Sequence, residues 1–257
     1  MTRRNVPLIL GVWFITVAVL HPQEFPDRAT LCSKADSLVG AAATGCIDKV
    51  REFLAKDGID SKNGSESPSL RAAIRSGNEA IVKLLLDAGA PVNPPVPSLW
   101  PPLSDAAIKG HIEVMKVLLR AGAKVDATDH NGRPVLVGYG FLNPNVTRVL
   151  LEAGADVDSA DREGETALMK ASGHGLKQVI SVLIKHHANV NLKDSMGRTA
   201  LMHAAAARLS GAIPLLLENG ADPSARDYEG KTALDIAKAS NNVTAIGLLS
   251  YARKRSH

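Results

Sequence analysis

The sequence predicts an all-α repeat protein, a solenoid of about seven helix-turn-helix units joined by short β-turn or hairpin connections. Three observations predict it. The turn glycines Gly164, Gly197 and Gly230 are each 33 residues apart, and Gly132 precedes the first of them by 32. Upstream, the pattern L-x-x-A-(A)-x-x-G recurs at Leu38…Gly45, Leu70…Gly77 and Leu103…Gly110. An apolar stripe at helical spacing follows, as in Ile112, Val114, Met115, Val117, Leu118 and Leu119. One such unit cannot hide its apolar face alone, so stability has to come from stacking.

Composition narrows the function classes. Of 257 residues, 45% are apolar and the formal charge is only +4, which excludes an intrinsically disordered chain. Two cysteines exclude a disulfide-dense scaffold. The low aromatic share of 4% suits layers built from Ala, Leu and Val. A pI near 9.1 raises nucleic acid or an acidic membrane surface as partners. Five basic residues, however, are Arg3 and Arg4 at one end and Arg253, Lys254 and Arg255 at the other. Setting those five aside leaves a repeat body close to neutral, so no nucleic-acid partner is expected.

From the N-terminus, residues 1–20 read as a signal peptide or N-terminal signal anchor. Two arginines precede 15 uncharged residues from Val6 to Leu20, somewhat short for a permanent span of roughly 20. Thr16-Val17-Ala18 offers small residues, but inside the apolar run, so cleavage and retention both stay open. Either way the rest of the chain is expected outside the cytoplasm, whether periplasmic, extracellular or facing outward from a membrane. Residues 21–36 form a linker or cap, 37–252 the repeats, and 253–257 a basic tail.

Within the repeats, Thr166, Thr199 and Thr232 stand where a helix N-cap has to satisfy free backbone N–H groups. Gly122, Gly154 and Gly220 follow the second helices, where a left-handed residue is wanted. His187 occupies that place after one helix, and a histidine there complements the negative helix end. Asp161, Asp194 and Asp227 are placed to bond the backbone of adjacent turns.

These features resemble the ankyrin repeat family, whose unit is a β-turn and two antiparallel helices at a 33-residue period. The family signature Thr-Pro-Leu-His-x-Ala appears as Thr166-Ala167-Leu168-Met169-Lys170-Ala171 and Thr199-Ala200-Leu201-Met202-His203-Ala204. A third copy is Thr232-Ala233-Leu234-Asp235-Ile236-Ala237. The resemblance covers roughly residues 37–252, with alanine replacing the family's proline in all three copies.

The resemblance implies a partner protein held by the concave face and the turn tips. The positions that match are Lys109, His130, Asn131, Arg133, Phe141, Arg162, Glu163, Glu165, His174, Ser195, Met196, Arg198, Tyr228, Glu229 and Lys231. Two departures add to them. Residues 91–102 hold six prolines in twelve positions and read as a stiffened loop carrying Trp100, either a recognition anchor or a ring folded back onto the solenoid. The fourth repeat carries Tyr139 and Phe141 alternating with Gly138 and Gly140 where alanines are expected, so each ring either fills a notch or presents a contact.

No HExxH, CxxC, phosphate loop or nucleophile elbow occurs, so no metal, no cofactor and no enzyme activity are expected. Cys32 and Cys46, 14 apart, form either two independent thiols or a disulfide pinning the N-terminal segment over the first repeat. The expected function is a monomeric, non-catalytic scaffold for protein–protein interaction outside the cytoplasm. The competing class is a membrane-tethered structural or envelope protein held by an uncleaved N-terminal helix.

Overall fold

The computed structural model describes residues 27–61, 65–95, 100–207, 209 and 211–255. The expected signal segment and the centre of the proline-rich stretch lie outside the described residues. A short helix α1 (Arg28–Ser33) is followed by seven helix pairs, as the period predicts. They are α2 (Leu38–Thr44) with α3 (Ile47–Asp57), α4 (Pro68–Ser76) with α5 (Glu79–Asp87), and α6 (Pro102–Lys109) with α7 (Ile112–Arg120). Next come α8 (Val135–Gly138) with α9 (Pro144–Glu152), α10 (Ala167–Gly173) with α11 (Lys177–Lys185), α12 (Ala200–Ala206) with α13 (Ala212–Glu218), and α14 (Ala233–Ala239) with α15 (Val243–Arg255).

First helices pack on first helices and second on second along the array, burying one continuous apolar core. Fully buried alanines such as Ala41, Ala73, Ala106, Ala171 and Ala204 let the first helices approach closely. Leu118, Leu150, Leu183 and Leu216 fill the layer between the helix pairs. Pairing of extended chain among the described residues is limited to single bridges, Thr128 with Pro134 and Ala160 with Thr166. No described helix is long and apolar enough to cross a membrane.

The helix ends follow the expected chemistry with one exception. Thr166 and Thr232 accept from the backbone N–H three residues on, as caps should. Thr199 does not: its hydroxyl is buried without a hydrogen-bond partner. Gly122, Gly154 and Gly220 adopt positive φ, and His187 does so too, at 65°. A row of Asn and Asp side chains then ties each following loop to its neighbour. Asn93 accepts from the Lys124 amide, Asp126 from Asp156, Asp158 from Asn189 and Asn191 from Asp222.

Two local structures depart from the regular unit. In the fourth repeat α8 lasts one turn and passes into a 3-10 turn over Gly140–Leu142. Gly140 lets this turn pack closely on α9, since a Cβ would lie 2.7 Å from the end of the Leu150 side chain. Near the N-terminal end of the array, Cys32 and Cys46 sit at disulfide distance, with Cα atoms 5.4 Å apart, where α1 packs on α2.

Candidate functional site

The last four turns that join one helix pair to the next are each organised by one aspartate. Asp129 Oδ1 accepts from the Asn131 and Arg133 amides, Asp161 from Glu163 and Glu165, Asp194 from Met196 and Arg198, and Asp227 from Glu229 and Lys231. This local bonding is what an aspartate at a turn offers. In the first three of these four the carboxylate is also buried, with side chains 0%, 2% and 1% exposed. A buried charge needs a partner, and each Oδ2 has one. Asp129 meets Arg133 at 2.8 Å and the Tyr139 hydroxyl at 3.0 Å. Asp161 meets Lys170 at 2.8 Å, and Asp194 meets His203 at 2.9 Å and Arg198 at 3.2 Å.

These pairs set the local proton affinities. Burial by itself would raise Asp129, but hydrogen bonds from Arg133, Tyr139 and the Asn131 amide outweigh it and hold the carboxyl below its usual range. Asp194 is held down in the same way against burial, by the Arg198 and Met196 amides and by His203. Burial and the bond to Asp129 push the Tyr139 phenol well up, so it stays a donor. Burial works against the Lys170 ammonium, yet Asp161 and Glu165 together raise it.

Glu165 extends the network between repeats, bonding Lys170 at 2.6 Å and lying 3.8 Å from His203 Nδ1. Glu165, Asp194 and His203 each offer a ligand atom within 4.8 Å of the others. Lys170 and Arg198 already sit on those carboxylates, so the arrangement is an ion network in which a metal would have to displace two cations.

Beyond the aspartates, each turn tip leans on the next. The Ser195 amide donates to the Glu163 carbonyl at 2.9 Å, and the Tyr228 amide to the Met196 carbonyl at 3.0 Å. Between the fourth and fifth repeats the Arg162 guanidinium reaches the His130 carbonyl instead, at 3.4 Å. The tip glycines allow this contact: a Cβ on Gly164 would stand 2.9 Å from the Ser195 nitrogen, and one on Gly197 2.8 Å from the Tyr228 ring. Between the fourth and sixth repeats a groove of about 380 Å³ results, bordered by Asn131, Arg133, Arg162, Glu163, Glu165, Ser195, Met196 and Arg198 among others.

The structure sorts the sequence-derived positions into three groups. Exposed tips or ledges are His130, Asn131, Arg162, Glu163, Ser195, Met196, Tyr228, Glu229 and Lys231, with Lys109 and His174 at the ends of first helices. Arg133, Glu165 and Arg198 are half-buried and spent on the ion network. The aromatics of the departures turn inward. Phe141, expected from the resemblance on the groove, is only 7% exposed and stacks on His174 at 5.7 Å, and with Glu165, Lys170, His174 and His203 it borders a hollow of about 330 Å³. Trp100 is half-buried, its ring 5.1 Å from Tyr139 and 5.7 Å from His130, and its carbonyl accepts from Arg71 at 2.9 Å. Sequence reasoning missed Tyr139, Lys170 and His203 as carboxylate partners. A signal was present, since Lys170 and His203 both stand nine residues after their aspartates.

Comparison with known proteins agrees with this architecture. A family model described as ankyrin repeats (3 copies) matches residues 38–129 and 137–227. The chain is 39% identical over 101 residues to cyclin-dependent kinase 4 inhibitor B of Homo sapiens, spanning 38% of this chain and 72% of that protein. It is 35% identical over 100 residues to cyclin-dependent kinase inhibitor 2A of Homo sapiens, spanning 38% of this chain and 64% of that one. A third match, 30% over 137 residues, is to glycerophosphocholine phosphodiesterase gde1 of Schizosaccharomyces pombe, where it spans 50% of this chain and 12% of that protein. With stacked helix pairs at the expected period and a family match over most of its length, the chain belongs to the ankyrin repeat family.

Proposed function

We propose that this chain is a non-catalytic scaffold that holds a partner protein across its turn tips and the concave face of its first helices, outside the cytoplasm. The observation that carries the reading is the backbone link between successive tips, which presents exposed Met196 and Tyr228 side by side on a preformed scaffold. Side chains fixed in this way lose little entropy on docking. Met196 is 48% exposed and Tyr228 75%, and the groove beside them mixes cationic, anionic and neutral groups as a protein partner's surface would require. Two of the human relatives are named as inhibitors of kinases, a role exerted by binding. Export is supported by the charged-then-apolar leader of the sequence and by a cysteine pair at disulfide distance, an arrangement favoured in oxidising compartments.

Affinity capture from the native compartment, compared between the wild-type chain and a Met196→Glu/Tyr228→Glu variant, tests the proposal. A partner protein retained by the first and lost by the second supports it. Equal capture by both places the interface elsewhere. The tether reading rests on the run from Val6 to Leu20, and fractionation separates the two: release in soluble form favours the binder, retention with membranes the tether.

A further inference from the structure

On the opposite side of the molecule, α9 and α11 enclose a furrow of about 490 Å³ between their first turns and the C-terminal end of α11. Pro144 and the buried Val182 supply apolar walls. The polar lining is Asn145 and Arg148 from α9, with Gln178, Ser181, Lys185 and His186 from α11. It contains no carboxylate. In the described residues, Gln178, Ser181, Lys185 and His186 make no side-chain hydrogen bond or ion pair, and Arg148 bonds only the neutral Asn145 amide oxygen, at 3.2 Å.

That pattern is the reverse of the turn-tip side, where Arg71, Arg133, Lys170 and Arg198 each rest on a carboxylate. A protein whose repeat body is near neutral has gathered unpaired donors of one sign into one furrow. A guanidinium offers a planar fork for two oxygens of an anion, and an ammonium adds a mobile point charge beside it. Ser181, Gln178 and His186 supply further hydrogen-bond donors for the remaining oxygens. His186 is present because α11 ends in the His186-His187 pair. His187 takes the left-handed position that glycine fills elsewhere, and His186 is the residue left to line the furrow.

We infer that this furrow binds a tetrahedral oxyanion, a phosphate or sulfate group, held between Arg148 and Lys185. The site is separate from the proposed partner-binding face, so either can fail without the other. Glu152, one helical turn beyond Arg148 on α9, makes no ion pair with either cation and opposes the anion from outside the furrow.

Amide chemical shifts of the isotopically labelled full chain, titrated at constant ionic strength, test the inference. The probes are inorganic phosphate, inorganic sulfate and O-phosphoserine. The expected result is a saturable response confined to residues 144–148 and 178–186, weakened at least about tenfold in Arg148→Gln/Lys185→Gln. Glu152→Gln should tighten binding about twofold. Tighter binding of O-phosphoserine than of free phosphate assigns the site to a phosphoryl group carried on a larger molecule; the reverse order assigns it to the free ion. A linear response spread over lysines throughout the chain, or an unchanged affinity in the double variant, overturns the inference. Both altered side chains of that variant are exposed, and retained helical circular dichroism verifies its fold.

Discussion

The Tyr139 hydroxyl donates to the buried Asp129 carboxylate at 3.0 Å, filling in the fourth repeat the place that Lys170 and His203 fill in the fifth and sixth. The substitution of partner follows from the backbone. Gly138 and Gly140 end α8 early, which swings Tyr139 toward the turn and Phe141 into the core. Tyr139→Phe keeps the ring against Trp100 and removes the hydroxyl, which donates to Asp129 and accepts from the Arg133 guanidinium at 3.1 Å. It should lower stability by about 1 kcal/mol, read by urea unfolding. Because Arg133 also bonds Asp129, a loss much above about 3 kcal/mol would mean that the ring itself had shifted.

Acid should act through Asp129 and Asp194. Both carboxyls sit below their usual range in the fold, so the unfolded chain takes up protons first as pH drops. Their stabilisation is complete above about pH 4, the unfolded value, and fades as pH falls through the lower native values. Asp105 has the opposite sign. Burial raises its carboxyl despite Arg71 at 3.1 Å, so its contribution worsens as pH rises through that range. At pH 7, Asp194→Asn should therefore destabilise by about 1–3 kcal/mol, whereas Asp105→Asn should be neutral or stabilising. Thermal melts at pH 7 and at about pH 2 distinguish them: the Asp194→Asn deficit shrinks once the pH falls below the unfolded value toward the lowered native one.

What the sequence revealed and what it concealed divide along contact range. The turn glycines, the helix pairs and the turn aspartates are local patterns, and all three could be read from spacing. Exposure of the tips at Met196 and Tyr228 followed from the same register. How deeply Phe141 is buried was not legible, because a position carried over from a regular repeat assumes a regular helix, and the 3-10 turn broke that register. Thr199 has the sequence of a cap without the bond of one. The inward fold of Trp100 depends on Arg71 and Tyr139, 29 and 39 residues away, and no local pattern encodes it.

His187 is a direct test of how much strain the array tolerates. Its φ of 65° is a left-handed value that a side chain disfavours, and its amide still closes the helix end onto the Ile184 carbonyl at 2.9 Å. His187→Gly should raise stability by about 1 kcal/mol without altering the helical spectrum. A loss of stability would show that the exposed imidazole makes a favourable interaction with the helix end that outweighs the strain.

A disulfide between Cys32 and Cys46, which sit at disulfide distance, should stabilise only what it covers. Closing 14 residues between Cys32 and Cys46 corresponds to about 3 kcal/mol in the chain-entropy account. Cys32→Ser/Cys46→Ser is expected to free α1 and to increase amide exchange over α1 to α3, because each repeat contacts only its neighbours. Exchange in α10 to α14 should stay unchanged. Uniform acceleration along the whole chain would mean that the array unfolds as one cooperative body.

The two aromatic positions Phe141 and Tyr228 allow scaffold and recognition to be separated experimentally. Phe141 packs in the core beside the Gly140 notch, so Phe141→Ala opens a cavity and should destabilise by about 3–5 kcal/mol. Any loss of partner capture in that variant reports unfolding as much as contact. Tyr228 is 75% exposed, and its backbone N–H, by donating to the Met196 carbonyl, holds the tip in place. Tyr228→Ala should therefore shift the melting midpoint little while reducing capture by at least about tenfold, as truncation of an exposed aromatic anchor does. Melting curves and capture measured on the same two preparations check the contrast. A Tyr228→Ala protein that melts normally and binds normally would remove this tip from the interface.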